Sequence, residues 1–293
     1  MTLTVIQGHR IDWSWRKWLI LPSLDPNCLK NYRPVSNLPF LSKVIEKVVL
    51  SQLLQHLNAN NLLGVYQSAY RAGHSTETAL LKIVNDCLLA LDDGKVSVLT
   101  LLDLSAAFDT ISHDILLQTL ASFGIQDTAL EWFMSYLHNR SQIVAVKGAR
   151  SEPQHLSVGV PQGSVLGPLL FAVCTQALGS LLHSLGVSYH IYADDTQIYL
   201  TTALSDMSIA KKKLEECLDA VQQWMSAHRL KLNAGKTEFM VFASRDNSKR
   251  IPPCVLRIGD SVIKLSDCVK NIGLWMDRSL SGEQHAVQMC RLA

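Results

Sequence analysis

The sequence predicts an α+β fold in which a β-sheet is layered with helices. Three observations carry this. Val96 to Leu102 is a continuous apolar, β-branched run that ends in Asp103, the pattern of a buried strand. Ser188–Ile191 and Thr196–Leu200 are aromatic-rich strand segments separated by Ala193-Asp194-Asp195, which reads as a hairpin. Helix-period segments and a further strand stand between them, so the middle of the chain has a strand–helix–strand–helix order closing on a hairpin.

Residues 1–24 crowd Trp13, Trp15 and Trp18 beside Arg16 and Lys17, ahead of breaks at Pro22 and Pro26, and nothing ties them to the rest of the chain. Ser42 can cap a helix running to about Leu57, with Val44, Ile45, Val48, Val49 and Leu53 on one face. A second helix spans Ser75 to Leu91 and stops at Asp92-Asp93-Gly94. Ser112 begins a helix to Ser122, with Gly124 as its stop. Asp127 caps another through His138, and Ser141–Lys147 alternates as a strand. Gly159 to Gly167 is a glycine-punctuated loop, and Pro168 opens one long apolar helix to about Leu185. Met207–Ala227 is an amphipathic helix, and Glu238–Ala243 and Val269–Trp275 are strands.

Composition bounds the function. The chain has 293 residues, 48% hydrophobic and 18% charged, which excludes disorder, collagenous repeats and a disulfide-stapled miniprotein. Its seven cysteines are scattered and form no CxxC pair, which argues against a zinc site and for a reducing compartment. The apolar run Trp18–Leu21 is far too short for a signal peptide or a membrane span. The expected location is intracellular, nucleus or cytoplasm, with no membrane partner and no secretion. A mean hydropathy of +0.14 with so few charges points to apolar surface that another segment or partner covers. Charge is uneven: residues 1–96 carry +3, residues 97–205 carry −5 and residues 206–293 carry +4. An acidic middle between basic arms suits a metal centre with polyanion-gripping edges.

The chemistry is expected where acids sit at strand ends. If the Asp103 strand neighbours the hairpin, Asp103, Asp194 and Asp195 converge on one rim of the sheet. Carboxylates about 4 Å apart repel by roughly 4 kcal/mol at an effective dielectric near 20, so such a cluster needs protons or bridging cations. Hard oxygen donors without His or Cys select Mg²⁺ or Mn²⁺. Two such ions, about 3.5–4 Å apart, activate a hydroxyl nucleophile and stabilise a leaving pyrophosphate. An Asp-Asp pair is also an ordinary turn signal, and Asp103 alone could equally be a strand-end cap.

The surrounding text decides between these. Tyr192-Ala193-Asp194-Asp195 is the YxDD box of reverse transcriptases, and Leu101–Asp109 resembles their first catalytic motif. Gly159-Val160-Pro161-Gln162-Gly163-Ser164 resembles the loop and helix between the two. Asn31–Ser36 and Gln67–Thr76 look like fingers motifs, while Leu230–Asn233, Lys236–Glu238 and Val269–Gly273 look like later palm motifs. The chain thus resembles, from near Pro22 to its C-terminus, the reverse transcriptase of non-LTR (LINE-like, jockey/CR1/L2-type) retrotransposons.

The resemblance implies a right-hand polymerase fold: helical fingers over 22–96, a ferredoxin-like palm with a fingers–palm insert over 97–245, and the end of the palm over 246–293 with the thumb largely missing. Residues 1–21 would be an unrelated or fused segment. The resemblance also implies an RNA-directed DNA polymerase that adds dNTPs to a DNA primer on an RNA template, using two Mg²⁺ with Mn²⁺ able to substitute. Asp103, Asp194 and Asp195 would ligate the metals, the Leu104 carbonyl assisting. Arg71, Phe108, Gln162, Gly163 and Lys236 would contact the nucleotide: Arg71 on the triphosphate, Phe108 as a steric gate against the sugar 2′ position, and Lys236 near the pyrophosphate. Asp109 would hold local backbone. Taken alone, Phe108 reads as a core aromatic, Gln162 and Gly163 as a plain loop, Arg71 as a surface charge and Lys236 as a turn lysine.

The chain departs from the family at Ala69-Tyr70-Arg71, where Gly-Phe-Arg is usual, at Ala106, and at Ala172–Thr175. None of these touches the expected metal ligands. An endonuclease or thumb region carried elsewhere is a possible partner, and a catalytically silent remnant that binds nucleic acid weakly is the alternative function.

Overall fold

The computed structural model describes residues 15–20, 32–36, 38–105, 107–146 and 149–292. Trp13, Pro22, Pro26, Asn31, Ala106 and Lys147 of the sequence expectations lie outside them. The chain divides into two compact units, Met1–Leu63 with Ala106–Cys174 and Gly64–Ser105 with Thr175–Ala293. The chain leaves and re-enters each unit, so this division crosses the contiguous segments drawn at residues 22, 97 and 246.

In the first unit, strand Trp15–Ile20 runs antiparallel to Tyr32–Ser36 and parallel to Arg140–Val146. Periodicity in the sequence assigns no element to the first of these. Helix Phe40–Ala59 starts two residues before Ser42, with Pro39 at its cap position. Its buried stripe is Ser42, Glu46, Val49, Leu53 and Leu57, whereas Val44 and Val48 are exposed. The stripe is rotated because the Glu46 carboxylate faces inward, where it accepts the backbone N–H groups of Val165 (2.7 Å) and Leu166 (3.0 Å). Ser42 is therefore no cap; its hydroxyl donates to Glu46 Oε1 at 3.1 Å.

Helix His113–Ser122 starts after Ser112, and Gly124 follows it in the left-handed region at φ 80°. The next helix, Asp127–Leu137, has Gln126 rather than Asp127 at its cap; Asp127 itself adopts φ 50°, which its short polar side chain tolerates. The single long helix expected to Leu185 is two, Gly167–Cys174 and Gln176–Ser184, parted at Thr175, whose φ and ψ of −90° and 1° are not helical.

The second unit is built on a four-stranded antiparallel sheet, ordered Glu238–Phe242, Val96–Leu102, Asp195–Thr202, Ser188–Tyr192. In chain order the fourth strand lies beside the first, then come the third and second, which is the ferredoxin-like arrangement. Helices Thr76–Asp92 and Met207–Ala227 pack on it. Thr76–Asp92 begins in a capping box, Ser75 Oγ accepting from Thr78 N and Thr78 Oγ1 accepting from Ser75 N. It buries Ile83 and Cys87 against Leu99, Tyr199, Met240 and Phe242. The expected strand Val269–Trp275 is a hairpin, Cys268–Asn271 with Leu274–Asp277, because Ile272 (φ 35°) and Gly273 (φ 104°) turn the chain. A further hairpin, Val255–Ile258 with Ser261–Lys264, is not among the elements expected from the sequence. Among the described residues no helix is long and apolar enough to cross a membrane.

Two buried imidazoles tie stability to pH. His113 Nε2 bonds the Gly159 carbonyl at 2.8 Å, and desolvation lowers its pKa. His190, buried beside Ser68, is lowered to about 4, again chiefly by desolvation. In the unfolded chain both titrate near 6.5, so the unfolded state takes up protons first as pH falls. Their stabilisation is complete above about pH 6.5 and is lost as pH falls toward 4. Taken alone, the two imidazoles would lower the thermal midpoint by roughly 5 °C between pH 7 and pH 5, offset in part by the Asp195 carboxyl, whose raised pKa stabilises the folded chain as pH falls. A scan of His190→Gln over the same range should be flatter; identical slopes would rule out His190 as a source.

Candidate active site

Asp103 follows the central strand Val96–Leu102, whose last residue pairs with Thr196 of the neighbouring strand. That register sets Asp103 opposite Asp195. Tyr192 and Asp195 are the closing pair of the hairpin, and Ala193-Asp194 is its two-residue turn. Ala193 takes φ 57°, a left-handed conformation that is costly for alanine and common at strained functional turns. The three acids feel one another. The Asp195 carboxyl is pushed up to about 6, first by desolvation, then by the charges of Asp194 and Asp103.

Asp103 is held from a third segment. Asn233 Nδ2 donates to its Oδ2 at 3.1 Å, Asn233 N donates to its carbonyl at 2.8 Å, and Lys236 Nζ stands 3.9 Å from Oδ2. The backbone beyond Asp103 continues the contact, Leu104 pairing with Leu232 and Ser105 with Lys231. The turn itself is closed by Thr237, whose N–H and hydroxyl both donate to the Asn233 carbonyl. Lys236 is exposed, so its ion pair adds little to stability. A cleft of about 400 Å³ opens here, lined by Asp103, Asp195, Gln197, Lys236, Lys270 and Asn271.

Arg71 belongs to the same unit. Its Nη1 donates to the Gly64 carbonyl at 3.1 Å, and its segment bridges to the hairpin strand, Gln67 pairing with Ile191. Tyr70, just before it, has φ 59° and a phenol pKa raised by desolvation, then by Asp194 and Tyr192.

Phe108, Gln162 and Gly163 lie in the other unit and are organised together. Phe108 packs on Phe171 with ring centroids 5.2 Å apart, and its carbonyl accepts Val160 N at 2.8 Å. Gln162 Nε2 donates to Asp109 Oδ2 at 2.8 Å, while its carbonyl accepts Ser36 N. The Asp109 carboxylate thus orients the Gln162 side chain. A Cβ at Gly159 would come within 2.9 Å of the Asp109 carbonyl, so only glycine lets the loop approach there. Gly163 has φ 93°, likewise a glycine conformation.

The structure therefore brings Asp103, Leu104, Asp194, Asp195 and Lys236 to one rim, with Arg71 in the same unit, and gathers Phe108, Gln162 and Gly163 in the other. An all-oxygen donor set under mutual repulsion suits a hard divalent cation. Among the described residues, however, no three His, Cys, Asp or Glu side chains are grouped closely enough to hold one ion, Asp103 being turned toward Asn233 and Lys236. Asn233 and Glu46 were not singled out from the sequence. Asn233 lies inside a motif block that marks position without role, and Glu46 shows only as an acid four residues after Ser42 in an apolar stripe.

A family model described as reverse transcriptase (RNA-dependent DNA polymerase) matches residues 23–276. The chain is 32% identical over 266 residues to the RNA-directed DNA polymerase from mobile element jockey of Drosophila melanogaster, covering 89% of this chain and 28% of that protein. It is 28% identical over 297 residues to the probable RNA-directed DNA polymerase from transposon BS of the same organism, covering 96% and 31%. The chain thus spans about three-tenths of the length of these relatives. Apo telomerase from Candida tropicalis, truncated from its C-terminal domain, superposes with a TM-score of 0.60 at 13% identity, over 94% of this chain and 56% of that one. Telomerase from Candida albicans in complex with a fragment of telomeric RNA gives 0.59 at 14%, over 92% and 45%. The fold is the right-hand polymerase fold, α+β as the sequence predicted. With the YxDD hairpin and the Asp103 strand side by side in that fold, the chain belongs to the reverse transcriptase family, among relatives from non-LTR retrotransposons.

Proposed function

We propose that this chain is the catalytic core of an RNA-directed DNA polymerase, extending a DNA primer with dNTPs on an RNA template. The observation that carries the reading is the register that sets Asp103 against the Asp194–Asp195 hairpin, where the charges of Asp103 and Asp194 both raise the pKa of Asp195.

In this reading Asp103, Asp194 and Asp195, with the Leu104 carbonyl, would hold two Mg²⁺, Asp103 turning from Asn233 and Lys236 toward the hairpin to do so. When bound, the ions would lower the pKa of the primer 3′-hydroxyl and neutralise charge on the leaving pyrophosphate. The primer 3′-hydroxyl gives its proton to solvent, its oxygen bonds the α-phosphorus, and the bond from that phosphorus to pyrophosphate breaks. Lys236 supplies positive charge or a proton to that leaving group. Arg71 offers a guanidinium fork to the triphosphate. Asp109 fixes the Gln162 amide, and Gly163 allows close backbone approach to the nucleotide. Residence in the nucleus or cytoplasm goes with this chemistry. The fingers and palm assignments over 22–96 and 97–245 likewise belong to this reading.

Phe108 is the proposed sugar gate. Phe108→Val should raise the use of rNTP relative to dNTP on the order of tenfold. An unchanged ratio, measured by competing single-nucleotide incorporations, would return Phe108 to a packing role against Phe171.

A second reading, a remnant that binds nucleic acid without turnover, is favoured by the ungrouped carboxylates. Incorporation of labelled dTTP on poly(rA)/oligo(dT) with Mg²⁺ or Mn²⁺ separates the two. Metal-dependent extension that stops with EDTA supports the polymerase. A folded protein that retards the duplex in a gel but never extends it supports the remnant.

A further inference from the structure

Residues Tyr66–Ser68 add to the outer edge of the catalytic hairpin. Ser68 N donates to the Ile191 carbonyl at 3.0 Å, Ile191 N donates to the Tyr66 carbonyl at 2.8 Å, and Gln67 pairs with Ile191 in parallel. The Tyr66 ring stands edge-on to Tyr189 at 5.2 Å. One side-chain bond locks this addition: Ser68 Oγ and His190 Nε2 are 2.8 Å apart, on residues only 2% and 4% exposed. The arm is anchored upstream by Gly64 N donating to Gln176 Oε1 at 2.9 Å, and closes on itself through Arg71 and the Gly64 carbonyl.

Between the lock and Arg71 stands Tyr70 in the left-handed region, a conformation a bulky residue keeps only where its surroundings over-determine it. His190 carries a cost of its own, since its Nδ1 is buried with no partner among the described residues. A leucine would fill this space without that orphan. What histidine alone adds here is the Nε2 bond to Ser68.

We propose that Ser68 and His190 are positioning residues, a latch that fixes the Tyr70–Arg71 arm to the strand leading into Asp194 and so sets the affinity for the incoming dNTP. The proposal rests on the polymerase reading of this site. It acts through Arg71 and Tyr70, on substrate binding more than on the chemical step.

The double variant Ser68→Ala/His190→Leu removes both partners at once, which leaves no new buried orphan and should keep the thermal midpoint near that of the wild type. KM for dTTP should rise about fivefold to tenfold, the worth of one buried hydrogen bond expressed in a bound state, with kcat nearly unchanged. His190→Gln, whose amide reaches Ser68, should restore most of the affinity. Hydrogen exchange should quicken at residues 68–71 in the double variant and not in the sheet core. An unchanged KM, or a joint fall in kcat and thermal midpoint, would overturn the latch. If the wild type shows no turnover, the polymerase reading fails by itself, and exchange decides the latch: faster exchange at 68–71 supports it, unchanged exchange overturns it.

Discussion

Asp103→Asn is expected to reduce dNTP incorporation by about a thousandfold, the loss of some 4 kcal/mol of transition-state stabilisation when a metal-binding charge is removed. The fold should survive. An asparagine Oδ1 can still accept from Asn233 Nδ2, and the backbone bond from Asn233 N to residue 103 does not involve the side chain. The ion pair with Lys236 is at the exposed rim and contributes little. Removing a charge from a self-repelling cluster relieves strain, so the thermal midpoint should hold or rise, and the Asp195 carboxyl should titrate lower. Activity measured beside thermal unfolding checks this. A variant that loses activity only in proportion to lost fold would make Asp103 structural.

The second large effect lies away from the chemistry. Glu46→Ala should destabilise the first unit by about 3–5 kcal/mol, because it strands two backbone N–H groups and a buried hydroxyl together. Glu46 is 1% exposed; its Oε2 accepts from Val165 and Leu166, and its Oε1 from Ser42. These groups lead into helix Gly167–Cys174, so the acid also stands at a helix N-terminus, where negative charge is favoured. Its loss should loosen the Gly159–Ser164 loop and with it the Gln162 amide. Glu46→Gln keeps an acceptor for the N–H groups and gives Ser42 a donor, so it should cost about 1 kcal/mol. Urea unfolding of the two variants distinguishes these; equal midpoints would deny the carboxylate its place in the core.

Much of the second unit could be read in advance because local pattern and burial agree there. Val96–Leu102 and Met207–Ala227 occupy the residues their periodicity marks. The hairpin with Asp194 at its turn follows from alternating aromatics around a turn signal. What escaped depends on partners far along the chain. Glu46 breaks the apolar stripe of its helix because its donors lie 119 and 120 residues away. Ser68 and His190 meet across 122 residues, and no period records that. Val269–Trp275 alternates like one strand, yet backbone dihedrals at Ile272 and Gly273 fold it into two. The rim of acids was legible as a motif, but the rotation of Asp103 toward Asn233 was not, since it depends on a turn 130 residues later.

In the proposed function Asp103 and the hairpin acids form one metal-dependent polymerase centre. Its most direct test is primer extension on poly(rA)/oligo(dT) by the wild type beside Asp194→Asn/Asp195→Asn, both shown to be folded. The expected result is divalent-dependent dTTP incorporation by the wild type that the double substitution abolishes. Equal incorporation by both proteins, or none from folded wild type, would contradict it.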